Sequence, residues 1–441
     1  MSDAASPNRL TFPPDVSSEI RAALARDYER FAREGLPASL ESYLAEEYDL
    51  DVATTYAGLP VKNPWGKASG QLSMTARQVE EDVAAGLGFV VLKTVIAEDA
   101  SGERTMQAWA IREARMVVEP ITGRSGESGW TVSWKGRGWW LSFDDYLQLI
   151  RDARRLAAGT GTLIVPSCKY HLPMPDEEGW RTSEYEYTTQ RILAAYDLDG
   201  SEPVAGMPLE KDFSPTLAGS DRAAAQSNIL EWLDEVPRLI RTAIPPQSSA
   251  ASSSETASRS PARVGLKLFN ALFDDEFQLE MLRAIHRRGS DRADFYVHAN
   301  RLFDPQREFE GMRGIAYGGP DLSDRNLRVM DAFRQEVAEG RVQQPLLEWS
   351  ATGNITTGRM ALEYALRGAS SFQLHTFFQL PSDAYRLQKG NKTQKALHEL
   401  YFHPETGFVA WMHCLADRLG LPRNPIRFRD VIGRAADVVG T

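Results

Sequence analysis

Between residues 63 and 378, short apolar runs alternate with amphipathic stretches eight times over. The runs are NPWGKASG (63–70), GFVVLKTV (88–95), GTLIVPSC (161–168), EPVAGMPL (202–209), VGLKLFN (264–270), DFYVHANRL (294–302), PLLEWSATG (345–353) and SFQLHTFF (371–378). Stretches such as TARQVEEDVAAG, SFDDYLQLIRDARRLA and EFQLEMLRAIHRR separate them, with apolar residues at helical spacing. Strands joined by helices make a parallel sheet covered on both faces. Eight such units predict closure into an α/β fold, the (β/α)8 TIM barrel. An open doubly wound sheet is the alternative, but its G-x-G-x-x-G fingerprint is missing between the first strand and helix.

The chain has 441 residues, more than the roughly 250 of a minimal barrel, so extensions are expected. Residues 1–50 read as an N-terminal extension of two helices, with Ser17 and Ser39 as N-caps. Residues 51–380 form the barrel, and the helical pattern of 381–441 forms a C-terminal cap of the same domain. The Ser/Ala-rich stretch 246–262 has almost no large apolar side chain to offset its ordering entropy and reads as a flexible loop away from the active site. A formal charge of −10 without a basic stripe argues against nucleic acid. Two cysteines, Cys168 and Cys414, rule out a disulfide framework and fit the cytoplasm. Nothing in the sequence resembles a membrane span or metal-ligand spacing.

In a barrel of this kind the C-terminal ends of the strands carry the chemistry. Those ends hold Ala68-Ser69-Gly70, Lys93-Thr94, Ser167-Cys168-Lys169, the stretch from Glu210 to Thr216, Lys267, Asn300, Gly353-Asn354 and Thr376. The two units spanning 346–378 place small residues at strand ends before a helix start, where N–H groups and the helix dipole suit a phosphate. Lys93 and Lys267 sit in apolar strands, and a buried lysine is costly without an anion nearby. They imply a negatively charged ligand in the mouth, or else a neighbouring carboxylate.

The stretch YAGLPVKNPWGKASGQLSMTARQVEEDVAAGLGFVVLKTV, the segments VGLKLFNALFDDEFQLEMLRAI and GIAYGGPDLSDRNLRVM, and the 346–378 units together resemble the dihydroorotate dehydrogenase family, including the related domain of dihydropyrimidine dehydrogenases, over roughly residues 54–380. The resemblance implies a flavoprotein: an FMN-binding barrel that acts as an oxidoreductase, passing a hydride between flavin N5 and a carbon–carbon bond of a cyclic small molecule. It implies that Ala68, Ser69 and Gly70 lie against the isoalloxazine ring and that Lys93 lies near flavin and substrate. Lys267 would stand by the pyrimidine edge of the flavin, with Asn300 in the site. Gly318, Gly319, Gly353, Asn354 and Thr376 fall at glycine-turn and phosphate-side positions.

The family places a Ser or Cys base in a loop after strand 4, just before proline, and Ser214 before Pro215 matches it. A competing register makes Cys168 the base. Either needs help to ionise, so Glu210, Lys211 and Asp212 stand as further proton carriers. The asparagines that hold dihydroorotate are replaced, with Trp134 and Thr216 at two of their places, so a different substrate is expected. Trp134, Trp139 and Trp140 suggest a more aromatic pocket. Asn354 and Phe377 stand where smaller residues are usual. Two other readings stay open: a Schiff-base lyase or aldolase using Lys267 or Lys93, and an inactive barrel scaffold. A homodimer and the identity of the electron-transfer partner also stay open; the acidic N-terminal helices argue against a membrane quinone.

Overall fold

The protein is described from a computed structural model, which covers residues 7–112, 116–134, 138–173, 177, 179–198, 206–213, 225–244, 261–287, 289 and 291–438. Eight parallel strands form the sheet: β1 (Trp65–Lys67), β2 (Phe89–Val91), β3 (Leu163–Val165), β4 (Met207–Asp212), β5 (Ala262–Phe269), β6 (Phe295–Asn300), β7 (Glu348–Thr352) and β8 (Ser371–Leu374). Beyond Val91, the pair Val95–Ile96 extends β2, and after Pro166 the residues Ser167–Lys169 extend β3. Each strand pairs with the next, and β8 returns to β1 through Phe372, Gln373 and Leu374 against Trp65, Gly66 and Lys67. That circuit of parallel pairs is the α/β TIM-barrel fold expected from the alternating pattern.

The longer helices are α1 (Ser18–Glu34), α2 (Leu40–Tyr48), α3 (Ala76–Ala84), α4 (Phe143–Ala157), α5 (Thr182–Tyr196), α6 (Gln226–Ala243), α7 (Asp275–Ile285), α8 (Pro320–Ala338), α9 (Gly358–Leu366), α10 (Lys392–Phe402) and α11 (Phe408–Leu419). Ser17 and Ser39 cap α1 and α2 by accepting hydrogen bonds from Ile20 N and Ser42 N. These two helices pack beside the C-terminal ones: Phe31 meets the Phe402 ring at 5.0 Å, and Tyr28 donates to Glu399 at 2.7 Å. Helix α10 packs against the barrel through Thr393, which donates to Asp82 of α3 at 2.6 Å and accepts from Lys67 of β1 at 3.0 Å. Among the described residues no helix is long and apolar enough to cross a membrane.

Side chains alternate across a strand, so every second residue enters the barrel. At the N-terminal end the interior is apolar, with Tyr56, Phe89, Val91, Val165 and Phe295 in one buried cluster. Gly66 and Gly265 have no side chain because the rings of Phe89 and Phe295 occupy the space a Cβ would need. A short antiparallel hairpin, Thr54–Tyr56 with Leu59–Val61, brings Tyr56 to this floor.

Several sequence boundaries move. The fourth run was placed at 202–209, but β4 extends to Asp212, and Glu210, Lys211 and Asp212 belong to the strand rather than to a following loop. The eighth strand ends at Leu374, so Thr376 lies in a turn of 3-10 helix and not in the strand. The sixth run stops at Asn300, and Leu302–Phe309 begins a hairpin closed by Met312–Tyr317. A second hairpin, Met116–Thr122 with Ser128–Trp134, follows the extension of β2. Neither was apparent in the sequence, and both stand at the mouth of the barrel.

Candidate active site

At the C-terminal ends of the strands lies one cavity. Ala68, Ser69, Gly70, Lys93, Lys267, Asn300, Gly318, Gly319, Gly353, Asn354 and Thr376 all line it. Residues from 68 to 376 therefore meet in one place, as the strand-end assignment required. Ser214, Pro215, Thr216 and residues 246–260 of the Ser/Ala-rich stretch lie outside the described residues.

The floor is charged. Lys93, Lys169 and Lys267 are 4, 2 and 3% exposed and line the same cavity as Asp212. Lys169 Nζ lies 3.5 Å from Asp212 Oδ2 and 4.7 Å from the centre of the Trp109 ring. Lys267 donates to Gln373 Oε1 at 3.0 Å, and Gln373 in turn donates to Glu210, which also accepts from Tyr56. The lysines thus have carboxylates nearby, but among the described residues the lining carries Lys93, Lys169, Lys267 and Arg301 against the single carboxylate of Asp212. Such a lining favours an anionic ligand.

The neighbours set the charge states. Burial, reinforced by Lys169 and opposed by Asp212, pushes Lys93 down to about 7. Burial alone would raise Asp212, yet Lys169, Lys267, Lys211 and Lys93 hold its carboxyl below the ordinary range. Glu210, deeper in the barrel, goes the other way because burial outweighs Lys267. His375 also lines the cavity, and burial together with Arg301 and Lys93 keeps its pKa well below the usual value. It accepts a hydrogen bond from Gln379 Nε2 at Nδ1, 2.8 Å away.

On the phosphate-like side, backbone conformation explains the residue choice. Gly353 has φ +115°, and a Cβ there would lie 2.9 Å from Leu322 Cγ. Asn354 adopts the left-handed region at φ +53°, which asparagine tolerates better than most side chains, and its Nδ2 donates to Ser323 Oγ at 3.0 Å. Gly319, at φ +93°, caps α8, where Ile121 would obstruct any Cβ. Phe377 lines the cavity and packs edge-on against Tyr385 at 5.8 Å.

The roof comes from the two hairpins, through Trp130 of one and Phe309, Gly314, Ile315 and Ala316 of the other. The buried Arg301 guanidinium ties them together by donating to Val132 O on the first and to Ala316 O, at 3.3 Å, on the second. Gly318 N donates to Thr131 Oγ1 at 3.0 Å, and Arg307 pairs with Glu119 at 2.9 Å.

Two expectations require correction. Cys168 is fully buried, faces away from the cavity into the core, and burial pushes its thiol up, so it is not placed to act as a base. The tryptophan that lines the cavity is Trp130, with Phe309 and Phe377 beside it; Trp139 instead packs on α4, with Nε1 donating to Ser142 O at 2.8 Å, and Trp140 lies under Arg112. Lys169 and Asp212 stand where the strand-end reading put them, whereas Gln373 and His375 are site residues that reading did not name.

No protein-family model and no curated protein sequence matches the chain. Among solved structures the fold is similar to that of DHODH from Eimeria tenella, determined in complex with ferulenol, with a TM-score of 0.55 over 96% of each chain. Sequence identity is 14%, so the likeness is one of fold alone, a DHODH-like barrel.

Proposed function

We propose that this chain is a flavin-dependent oxidoreductase that holds FMN at the barrel mouth and acts on a carbon–carbon bond of a cyclic small molecule other than dihydroorotate. The observation that carries the reading is the convergence of the buried Lys93, Lys169 and Lys267 from three strands on a cavity lined with glycine backbone. The residues suit the group. Gly318, Gly319, Gly353, Asn354 and Thr376 offer backbone and side-chain donors for its phosphate, and Ala68-Ser69-Gly70 offers backbone close enough to a flat ring. Asn300 supplies an amide at the same surface, and Lys93 and Lys267 supply positive charge. FMN, when bound, would supply hydride transfer.

The chain's own residues do the remainder. The lysines stabilise negative charge that develops on a bound ring, in a setting from which water is largely excluded. Trp130, Phe309 and Ile315 cover the apolar side, and Arg301 holds the two hairpins in that position. Ser214 is the residue the resemblance points to for proton transfer. Purified full-length protein should show flavin absorbance, or gain it on incubation with FMN, and a panel of cyclic reductants should bleach it. Protein that stays colourless and takes up no FMN would contradict the proposal.

A second reading has one specific observation in its favour. Lys93, with its pKa pushed to about 7, is in good part a neutral amine at neutral pH and so a nucleophile toward carbonyl compounds, as a lyase or aldolase requires. Borohydride trapping of a carbonyl compound on Lys93, read by peptide mass, would favour it over the flavin reading.

A further inference from the structure

Asp212 is the carboxylate that lines the cavity, and its two oxygens differ. Oδ2 accepts from Thr94 Oγ1 at 3.3 Å and faces Lys169 at 3.5 Å. Thr94 Oγ1 also shares hydrogen bonds with Ser69 Oγ at 2.7 Å and with Ser167 Oγ at 3.0 Å, which anchors it to the ends of β1 and β3. Oδ1 is buried and has no hydrogen-bond partner among the described residues. A buried carboxylate oxygen without a donor is costly, and such orphans call for an explanation. Asp212 thus lines the cavity as a rigidly held carboxylate that the lysines keep ionised, able to take a proton where those same lysines stabilise the charge left on the donor.

We propose that Asp212 is a further acid–base residue of this site, accepting a proton from a carbon alpha to a carbonyl of the bound molecule. The C–H bond breaks heterolytically, its electron pair stays on the substrate as an enolate, and the proton goes to Asp212. No oxidant or reductant is consumed, and the reverse step returns the proton. The charge argument is specific to this floor. One negative charge, on Asp212 before the transfer, is on the enolate after it, so Lys93, Lys169 and Lys267 stabilise a charge that shifts position without changing the net charge of the site. An ionised aspartate can serve as base when the site stabilises the enolate in this way, as in the ketosteroid isomerase pattern. The substrate class is therefore a cyclic carbon acid, a ring amide or ketone. The inference rests on the proposed site but not on its flavin, since lyase chemistry at the same lysines needs the same proton transfer.

The test is hydrogen exchange. Full-length protein stripped of any flavin is incubated in D2O with dihydroorotate, 5,6-dihydrouracil and cyclohexanone, and deuterium at the alpha carbon is followed by proton NMR. Wild-type protein is expected to exchange at least one of them, and D212N to slow that exchange roughly 100-fold or more. S214A is the comparison that separates Asp212 from the loop serine. FMN uptake and circular dichroism of D212N establish that it folds; if it does not, D212E takes its place, expected to retain exchange with an altered pH profile. Exchange undiminished in folded D212N, abolished in S214A alone, or absent from the wild type with all three probes would overturn the proposal. FMN uptake with no exchange leaves the flavin reading standing and removes this one, whereas exchange without FMN uptake does the reverse.

Discussion

His375 lies so close over Gly70 that a Cβ on the glycine would run into the imidazole ring. The contact joins the turn after β1 to the turn after its neighbour β8 at the rim of the cavity. Gly70→Ala should destabilise the fold by about 1–3 kcal/mol through overpacking. It should also weaken FMN binding by displacing His375. The double variant G70A/H375A should recover much of the stability, which a urea-unfolding double-mutant cycle measures.

Lys93 carries a pH signature. Its folded-state pKa is depressed to about 7 from an ordinary 10.5, so the unfolded chain binds the extra proton between those values. Its penalty is absent above pH 10.5, grows as pH falls, and is complete below pH 7. Lys93→Met should therefore stabilise the protein on the order of 4 kcal/mol below pH 7. The gain should shrink steadily toward pH 10, which denaturation midpoints across that range will show.

Glu210 has the opposite sign. Burial raises its pKa above 4.5, so the folded state holds the proton longer than the unfolded chain, and stability falls as pH rises from 4.5 through the folded-state value. Glu210→Gln keeps the shape and removes that slope. Glu210→Ala leaves Tyr56 and Gln373 without their partner and should cost about 1–3 kcal/mol. Urea unfolding at pH 5 and pH 8 distinguishes the two variants.

Arg301 is the tie between the hairpins. Arg301→Met leaves Val132 O and Ala316 O without its donor, at about 1–3 kcal/mol for each buried group. Amide exchange should rise in 116–134 and 302–317 while the barrel strands keep their protection. Uniform loss of protection would mean that Arg301 supports the whole fold instead.

The barrel was legible because each strand is buried on both faces and reads as an apolar run flanked by helical periods. The charged interior was not. Residues 210–212, Glu-Lys-Asp, look like a loop, but partners from other strands accommodate the two carboxylates: Tyr56 and Gln373 donate to Glu210, and Lys169 and Lys267 offset the charge of Asp212. The hairpins were hidden for another reason. Their strands, VVEPIT and LFDPQREF among them, mix charge and proline with β-formers because they sit at the surface of the mouth rather than in a core. Gly318 and Gly319 were named through the family resemblance, and Gly353 and Asn354 because close approach or left-handed backbone restricts residue choice; Gly319, Gly353 and Asn354 all have positive φ. Trp130 was missed in favour of Trp134, Trp139 and Trp140, since position along the chain does not say which tryptophan turns inward.

The central claim is that the mouth binds a flavin through its phosphate as well as its ring. Isothermal titration of flavin-free full-length protein with FMN, and separately with riboflavin, which lacks the phosphate, tests it directly. The account predicts one FMN per chain, bound far more tightly than riboflavin, with Lys267→Met and Gly353→Val each weakening it. Absence of FMN binding, or equal affinity for the two flavins, would contradict it.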